Sequence, residues 1–280
     1  MTVKIITDSI GDVPSQAIEE LEITIIPLYV HFGNESYRDG IDLTTEQFYD
    51  KLRHSEILPT TSVPPLGTFV EAYDRLAEET DEIAVITLSS KLSATYEAAL
   101  QAMKQMKRKC RVEVIDSLTA IMGEGLIVIA AAKAANNGAS LDEVMNITHH
   151  NVKRADMRIA FDTLEYLKRG GRIGKAQAFL GSILKVHPIL SIKDGEVVPS
   201  ARERSRAKAT DYLYNFATSF SHIDEMAVED ATTPDEADKL VERLNSRFPK
   251  ERIYQSKVSP VVGTHVGPHV LAVSVLGDKQ

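Results

Sequence analysis

The sequence predicts an α/β protein in two parts: an N-terminal domain with a parallel sheet between two helical layers (1–155), and a C-terminal α+β domain (156–280). The second part should hold a mixed or antiparallel sheet, with a ligand between the two domains. Three observations predict this. Short apolar runs alternate with helical patterns as far as residue 152, and alternating βα units build parallel sheets covered on both faces. After residue 156 the alternation lapses, and Asp194-Gly195 between two apolar runs marks a hairpin. At 280 residues the chain has the length at which single cores tend to divide.

In chain order, residues 3–6 form an apolar strand that leads through Thr7-Asp8-Ser9 into a helix over 14–21, and 23–30 reads as a second strand. Thr44 with Gln47 makes a capping box for a helix to about residue 54. A loop over 59–65 precedes a helix at 66–79, a buried strand at 83–88, a helix at 93–106 and a strand at 112–115. Helices follow at 123–136 and at 140–152, the latter opened by a Ser140/Glu143 box. The second part offers strands at 157–161, 189–193, 196–198, 225–229, 253–256 and 270–276, with helices at 204–220 and 234–248. Thr233-Pro234-Asp235-Glu236 is a strong start for the last helix.

Composition narrows the function. With 43% hydrophobic and 26% charged residues the chain is an ordinary globular protein, and its net charge of −8 argues against general nucleic-acid binding. Lys168, Arg169, Arg172, Lys175, Arg202, Arg204, Arg206 and Lys208 nevertheless cluster in sequence, a basic patch suited to an acidic partner. The single cysteine, Cys110, excludes an internal disulfide and fits a reducing cytoplasm. The chain opens on a strand without a leader, and the apolar run 126–132 is too short for stable membrane insertion, so the expected location is cytoplasmic.

In a parallel α/β domain ligands gather at the carboxyl ends of strands. Asp8-Ser9, Ser89-Ser90 with Ser93, and Asp116-Ser117 fall there, with 59–62 nearby. Thr60, Thr61, Ser62, Ser89, Ser90, Ser93 and Thr95 are uncharged donors that suit a carboxylic acid head group, although hydroxyls cap helices and fill turns just as readily. In the stretch 164–190, Gly170-Gly171 and Gly174 flank Arg172, which suits a presented arginine. From Lys175, the spacing of Ala178, Phe179, Ile183 and Leu184 predicts a helix ended by His187-Pro188. Spacing alone favours a plain glycine turn between two helices. Ile121, Met122, Leu126, Phe161, Leu164, Phe179, Leu180 and Ile183 are candidates for an apolar lining.

Several chemistries lack their motifs. There is no G-x-x-x-x-G-K-[ST] loop, and Gly123-Glu124-Gly125 lacks the third glycine of a dinucleotide fingerprint, so no nucleotide cofactor is expected. His149-His150, and His265 with His269, do not make a metal set, and the glycines on either side of His265 read as a loop that brings it against the first domain. No G-x-S-x-G elbow supports a serine hydrolase acting on an acyl substrate, the main rival from another class.

One set of strings occurs in a telling order: Thr7-Asp8-Ser9, PTTS at 59–62, LSSKLSATY at 88–96, Asp116-Ser117, YLKRGGRIG at 166–174, HPIL at 187–190 with Gly195, Pro199 and Arg202, and GTHVGP at 263–268. Together they resemble the DegV family over nearly the whole chain. The resemblance implies a bacterial lipid-binding protein, in several members the fatty-acid-binding subunit of a two-component fatty acid kinase. A long-chain fatty acid and a separate kinase subunit are then the expected partners, with the nucleotide site on the other subunit; a stand-alone lipid carrier or sensor is the alternative. The resemblance makes Thr61, Ser93 and His265 head-group contacts, with Ser62 and Thr264 beside them, and places Arg172 and Arg202 at the mouth for partner docking or phosphate. Two positions depart from the family pattern, Ala94 and His269, each standing where glycine is usual.

Overall fold

The computed structural model describes residues 2–180 and 186–279. The first part runs β1 (Lys4–Asp8), α1 (Ser15–Glu20), β2 (Thr24–Ile26), β3 (Tyr29–Phe32), β4 (Glu35–Arg38), α2 (Thr45–His54), β5 (Thr60–Ser62) and α3 (Leu66–Leu76). It continues through β6 (Glu82–Thr87), α4 (Thr95–Met103), β7 (Arg111–Asp116), α5 (Ile121–Asn136) and α6 (Leu141–Val152). Strands β2-β1-β6-β7 pair in that order, all parallel. One face of this sheet buries Ile5, Ala84 and Ile86 against Ile127, Val128 and Leu141 of α5 and α6. The other buries Ile6, Ile83 and Val85 against Phe69 and Tyr73 of α3 and Ala99 of α4. The result is the three-layer arrangement that the strand-helix alternation predicts.

The second part comprises β8 (Ala155–Ala160), α7 (Glu165–Arg169), β9 (His187–Lys193), β10 (Glu196–Glu203), α8 (Arg206–Thr218), β11 (Phe220–Asp230), α9 (Pro234–Leu244), β12 (Ile253–Lys257), α10 (Pro260–Val266) and β13 (Leu271–Lys279). Its six strands order as β10-β9-β8-β13-β11-β12, antiparallel throughout except for the edge pair β11/β12. The expected mixed sheet is therefore present. Asp194 and Gly195 turn the β9/β10 hairpin with φ of 51° and 83°, the left-handed pair that a two-residue turn requires.

Four local expectations are corrected. The strand expected over 23–30 divides at Pro27 into β2 and β3, which enter different sheets, because proline offers no N–H to a ladder. The loop expected at 59–65 contains β5, which completes a three-stranded antiparallel sheet β4-β3-β5. The helix expected from Lys175 is a 3₁₀ turn over Gly174–Phe179; Ile183 and Leu184 lie outside the described residues. His265, expected on a loop, sits on α10, which begins with proline at its first turn after Ser259 and ends at Gly267 with φ of 75°.

Candidate functional site

Between the parallel sheet and the six-stranded sheet lies an apolar cavity of about 100 Å³. Its wall is assembled from segments far apart in sequence: Ile10 and Leu28 after the first strands, Leu88 after β6, Ile121 at the start of α5, Ile159 and Phe161 at the end of β8, Leu190 and Val197 of the hairpin, and Val261 and Val262 of α10. Most of these side chains are buried in one continuous core cluster. Polar groups converge at one end, where Thr61, Ser93, Arg172 and His265 also line it.

Thr61 is presented by β5, and its Oγ1 lies 2.9 Å from His265 Nε2 of α10, a bond spanning 204 residues of sequence. Burial, helped by the positive charge of Arg172, lowers the imidazole to about 4, so His265 is neutral at pH 7. Its Nδ1 is buried without a hydrogen-bond partner among the described residues and faces Gly170, where a Cβ would stand 2.2 Å from it. Gly170 has φ of −72°, so its glycine serves close approach to the imidazole rather than a turn. Gly267 serves both purposes, since it takes the left-handed φ of 75° and a Cβ there would stand 2.3 Å from a ring carbon of Tyr166.

Arg172 is held over the same end by two backbone carbonyls, Nε donating to Leu92 O at 3.2 Å and Nη1 to Gly170 O at 2.8 Å. Ser93 Oγ lies 2.9 Å from Thr95 Oγ1 just before α4. The other expected residues sit apart. Ser62 points to His31, 2.8 Å away on the outer side of the three-stranded sheet. Thr264 is buried and donates back along its own helix to Pro260 O. Arg202 lies on β10, its Nη2 donating to Ala178 O and its guanidinium 3.9 Å from the Phe179 ring centroid. Of the expected lining, Ile121 and Phe161 face the cavity, whereas Met122 and Leu126 pack into a separate cluster with Ala17 and Leu276. Ala94 adopts φ of −81°, which costs an alanine nothing, but His269 takes φ of 60°.

Sequence reasoning missed a group of buried acids behind this wall: Asp12, Asp39, Glu124 and Glu229. Asp8, buried beside them, was placed near a site from its position at a strand end. The others carry no local signal, since an acid in a loop or on a helix reads as solvated.

Comparison with known proteins decides the family. Residues 2–278 match the model described as "Uncharacterised protein, DegV family". This chain belongs to the DegV family. Protein DegV of Bacillus subtilis is 34% identical over 283 residues, covering 98% of each chain. The crystal structure of DegV from Bacillus subtilis, a fatty acid binding protein, superposes with a TM-score of 0.90 at 32% identity, covering 99% of this chain and 100% of that one. A DegV family protein from Thermus thermophilus, solved for its fatty acid binding, gives a TM-score of 0.90 at 31% identity with the same coverage.

Proposed function

We propose that this protein holds a long-chain fatty acid in the apolar cavity and presents its carboxylate to a separate kinase subunit, which forms the acyl phosphate. The observation that carries this reading is the pairing of an apolar wall with one polar end built on the Thr61–His265 bond and Arg172. A neutral imidazole that donates from Nε2 to Thr61 leaves the hydroxyl proton for a carboxylate oxygen; Ser93 and Arg172 add further donors. Burying a dozen methylenes at about 0.8 kcal/mol each contributes on the order of 10 kcal/mol before binding costs, so the tail supplies affinity and the head group orientation. Relatives of known structure named as fatty acid binding proteins support the same reading. Arg202, stacked on Phe179 outside the cavity, is placed to meet the kinase or the transferred phosphate rather than the acid. A cavity of about 100 Å³ is smaller than the roughly 300–1,000 Å³ usual for a ligand of drug size, so its walls must part to admit a chain.

The test is mass spectrometry of lipid extracted from protein purified without added ligand. A stoichiometric long-chain fatty acid is expected, and protein empty of lipid would overturn the reading. With the kinase reconstituted, Arg202→Ala should retain the lipid and lose phosphorylation; equal loss of both would remove the division of labour between the two ends.

A further inference from the structure

A second recess, a cleft of about 680 Å³, opens on the opposite side of the cavity wall. Asp8, Asp12, Asp39 and Asp230 line it. Asp8 and Asp39 also reach the wall itself, through its backbone. Asp8 accepts from the N–H of Ile10 at Oδ1, 3.0 Å, and from the N–H of Leu88 at Oδ2, 2.9 Å. Asp39 accepts from the N–H of Val261 at Oδ1, 3.2 Å, and from Ser9 Oγ at Oδ2, 2.7 Å; Ser9 Oγ in turn accepts from the N–H of Leu28 at 3.1 Å. All four residues so tied, Ile10, Leu28, Leu88 and Val261, line the apolar cavity. Two carboxylates thus join four wall segments that share no secondary-structure element.

We propose that Asp8 and Asp39 are positioning residues that draw the wall of the acyl cavity together through its backbone, and that their ionisation loosens it, so that a bound chain exchanges faster once they are charged. The inference rests on the lipid-binding reading above. Both groups are almost wholly buried, and parting the wall would wet them. A buried carboxylate that is wetted by opening favours the open form when ionised. The surrounding charges add to this. Facing Asp8 are Asp39 and, from α5, Glu124; facing Asp39 is Tyr49 of α2, and Asp12 lies next to Asp39 and Glu229 of β11. Among the described residues no lysine or arginine forms an ion pair with any of these acids, and Lys257 is committed to Asp230 at 2.7 Å. Burial raises Asp8 to about 7 and Asp39 to about 6, which places the change near neutrality. His265, near 4, stays neutral through that window.

The experiment measures the release rate of a long-chain fatty alcohol, whose head group does not titrate, from about pH 5.5 to about pH 8.5. Wild-type protein should release it about tenfold faster at the alkaline end, tenfold being one unit of difference between closed and open forms. Asp8→Asn, a neutral isostere able to keep one N–H acceptor, should release it slowly with most of that slope gone. Asp39→Asn removes the like charge beside Asp8 and should move the remaining rise to lower pH, which keeps the proposal testable if the first variant does not fold. A wild-type rate flat with pH, or an Asp8→Asn profile with the wild-type slope, overturns the inference. Failure to bind any long-chain amphiphile at any pH instead overturns the lipid-binding reading on which it stands.

Discussion

The two recesses that share the wall around Ile10 differ in nearly every respect. The outer cleft is several times larger, about 680 Å³ against 100 Å³, and mixes acids, serines and Lys257 with apolar residues such as Val13, Ile18 and Ile25. The inner cavity is small and apolar, with a hydroxyl, an imidazole and a guanidinium at one end. Size would select the outer cleft as the ligand site, but chemistry selects the inner one. A fatty acid brings a negative head group, which meets acids in the outer cleft but hydroxyls, a neutral imidazole and a guanidinium in the inner cavity, and a tail that the almost wholly apolar inner wall is suited to bury. The larger space serves the smaller one, by giving buried carboxylates a route to water when the wall opens.

The comparison can be broken most decisively at the polar end. Gly170→Ala places a Cβ 2.2 Å from His265 Nδ1, and overpacking of this kind costs about 1–3 kcal/mol, so fatty acid affinity should fall by up to about a hundredfold. Titration of the purified variant against a long-chain fatty acid checks this; unchanged affinity would show that the imidazole has no part in holding the acid. The acids behind the wall are tested through stability. Asp8 is raised from 3.8 to about 7 in the folded state and Asp39 to about 6, so each contributes stability that is fully present below about 3.8 and lost as pH rises through those values. Denaturant unfolding should therefore show stability declining by several kcal/mol between about pH 4.5 and pH 8, and Asp8→Asn should make the decline shallower, while Glu229, raised to about 8 by burial, keeps part of it. Asp42, lowered to about 2 by Arg38, acts below that window and does not mask it. A smaller effect is expected at the mouth: Arg172→Ala should weaken the fatty acid about tenfold, as one hydrogen bond to a charged group is lost, and leave a fatty alcohol nearly unaffected. Equal weakening of both ligands would assign Arg172 to packing instead of charge.

The contrast between inner and outer recess also explains what the sequence could show. Both capping boxes, Thr44/Gln47 and Ser140/Glu143, form as expected, because caps are local chemistry. The apolar alternation placed the parallel sheet and its two helical layers for the same reason. His265 was assigned to a loop because Gly263 and Gly267 flank it, yet a Cβ at Gly263 would lie 2.6 Å from the Phe48 ring and 2.7 Å from Tyr49 Oη. That glycine lets α10 approach α2, a long-range demand which one-dimensional spacing cannot distinguish from a turn. The three-stranded sheet was overlooked because β5 has only three residues and is held by pairing with β3, about 30 positions earlier in the chain. The carboxylate layer was hidden for a stronger reason: Asp39 meets the N–H of Val261, and Glu229 that of Met122, only when segments distant in sequence converge.

His269 provides the smallest test and separates strain from contact. It is exposed with φ of 60°, and its N–H donates to Thr232 Oγ1 at 3.2 Å, a bond that any residue can make. A left-handed backbone costs a side chain roughly 1–2 kcal/mol, less for histidine than for a β-branched residue. Glycine would relieve that cost but add unfolded-state entropy of nearly the same size, so His269→Gly should change stability by about 0.5 kcal/mol or less. His269→Val keeps the N–H and places a β-branched side chain where it fits worst, and should lose about 1–2 kcal/mol in denaturant unfolding. Because His269 lies on neither recess, lipid affinity should be the same in both variants. A fall in affinity without a fall in stability would show instead that the turn after α10 controls how His265 meets Thr61.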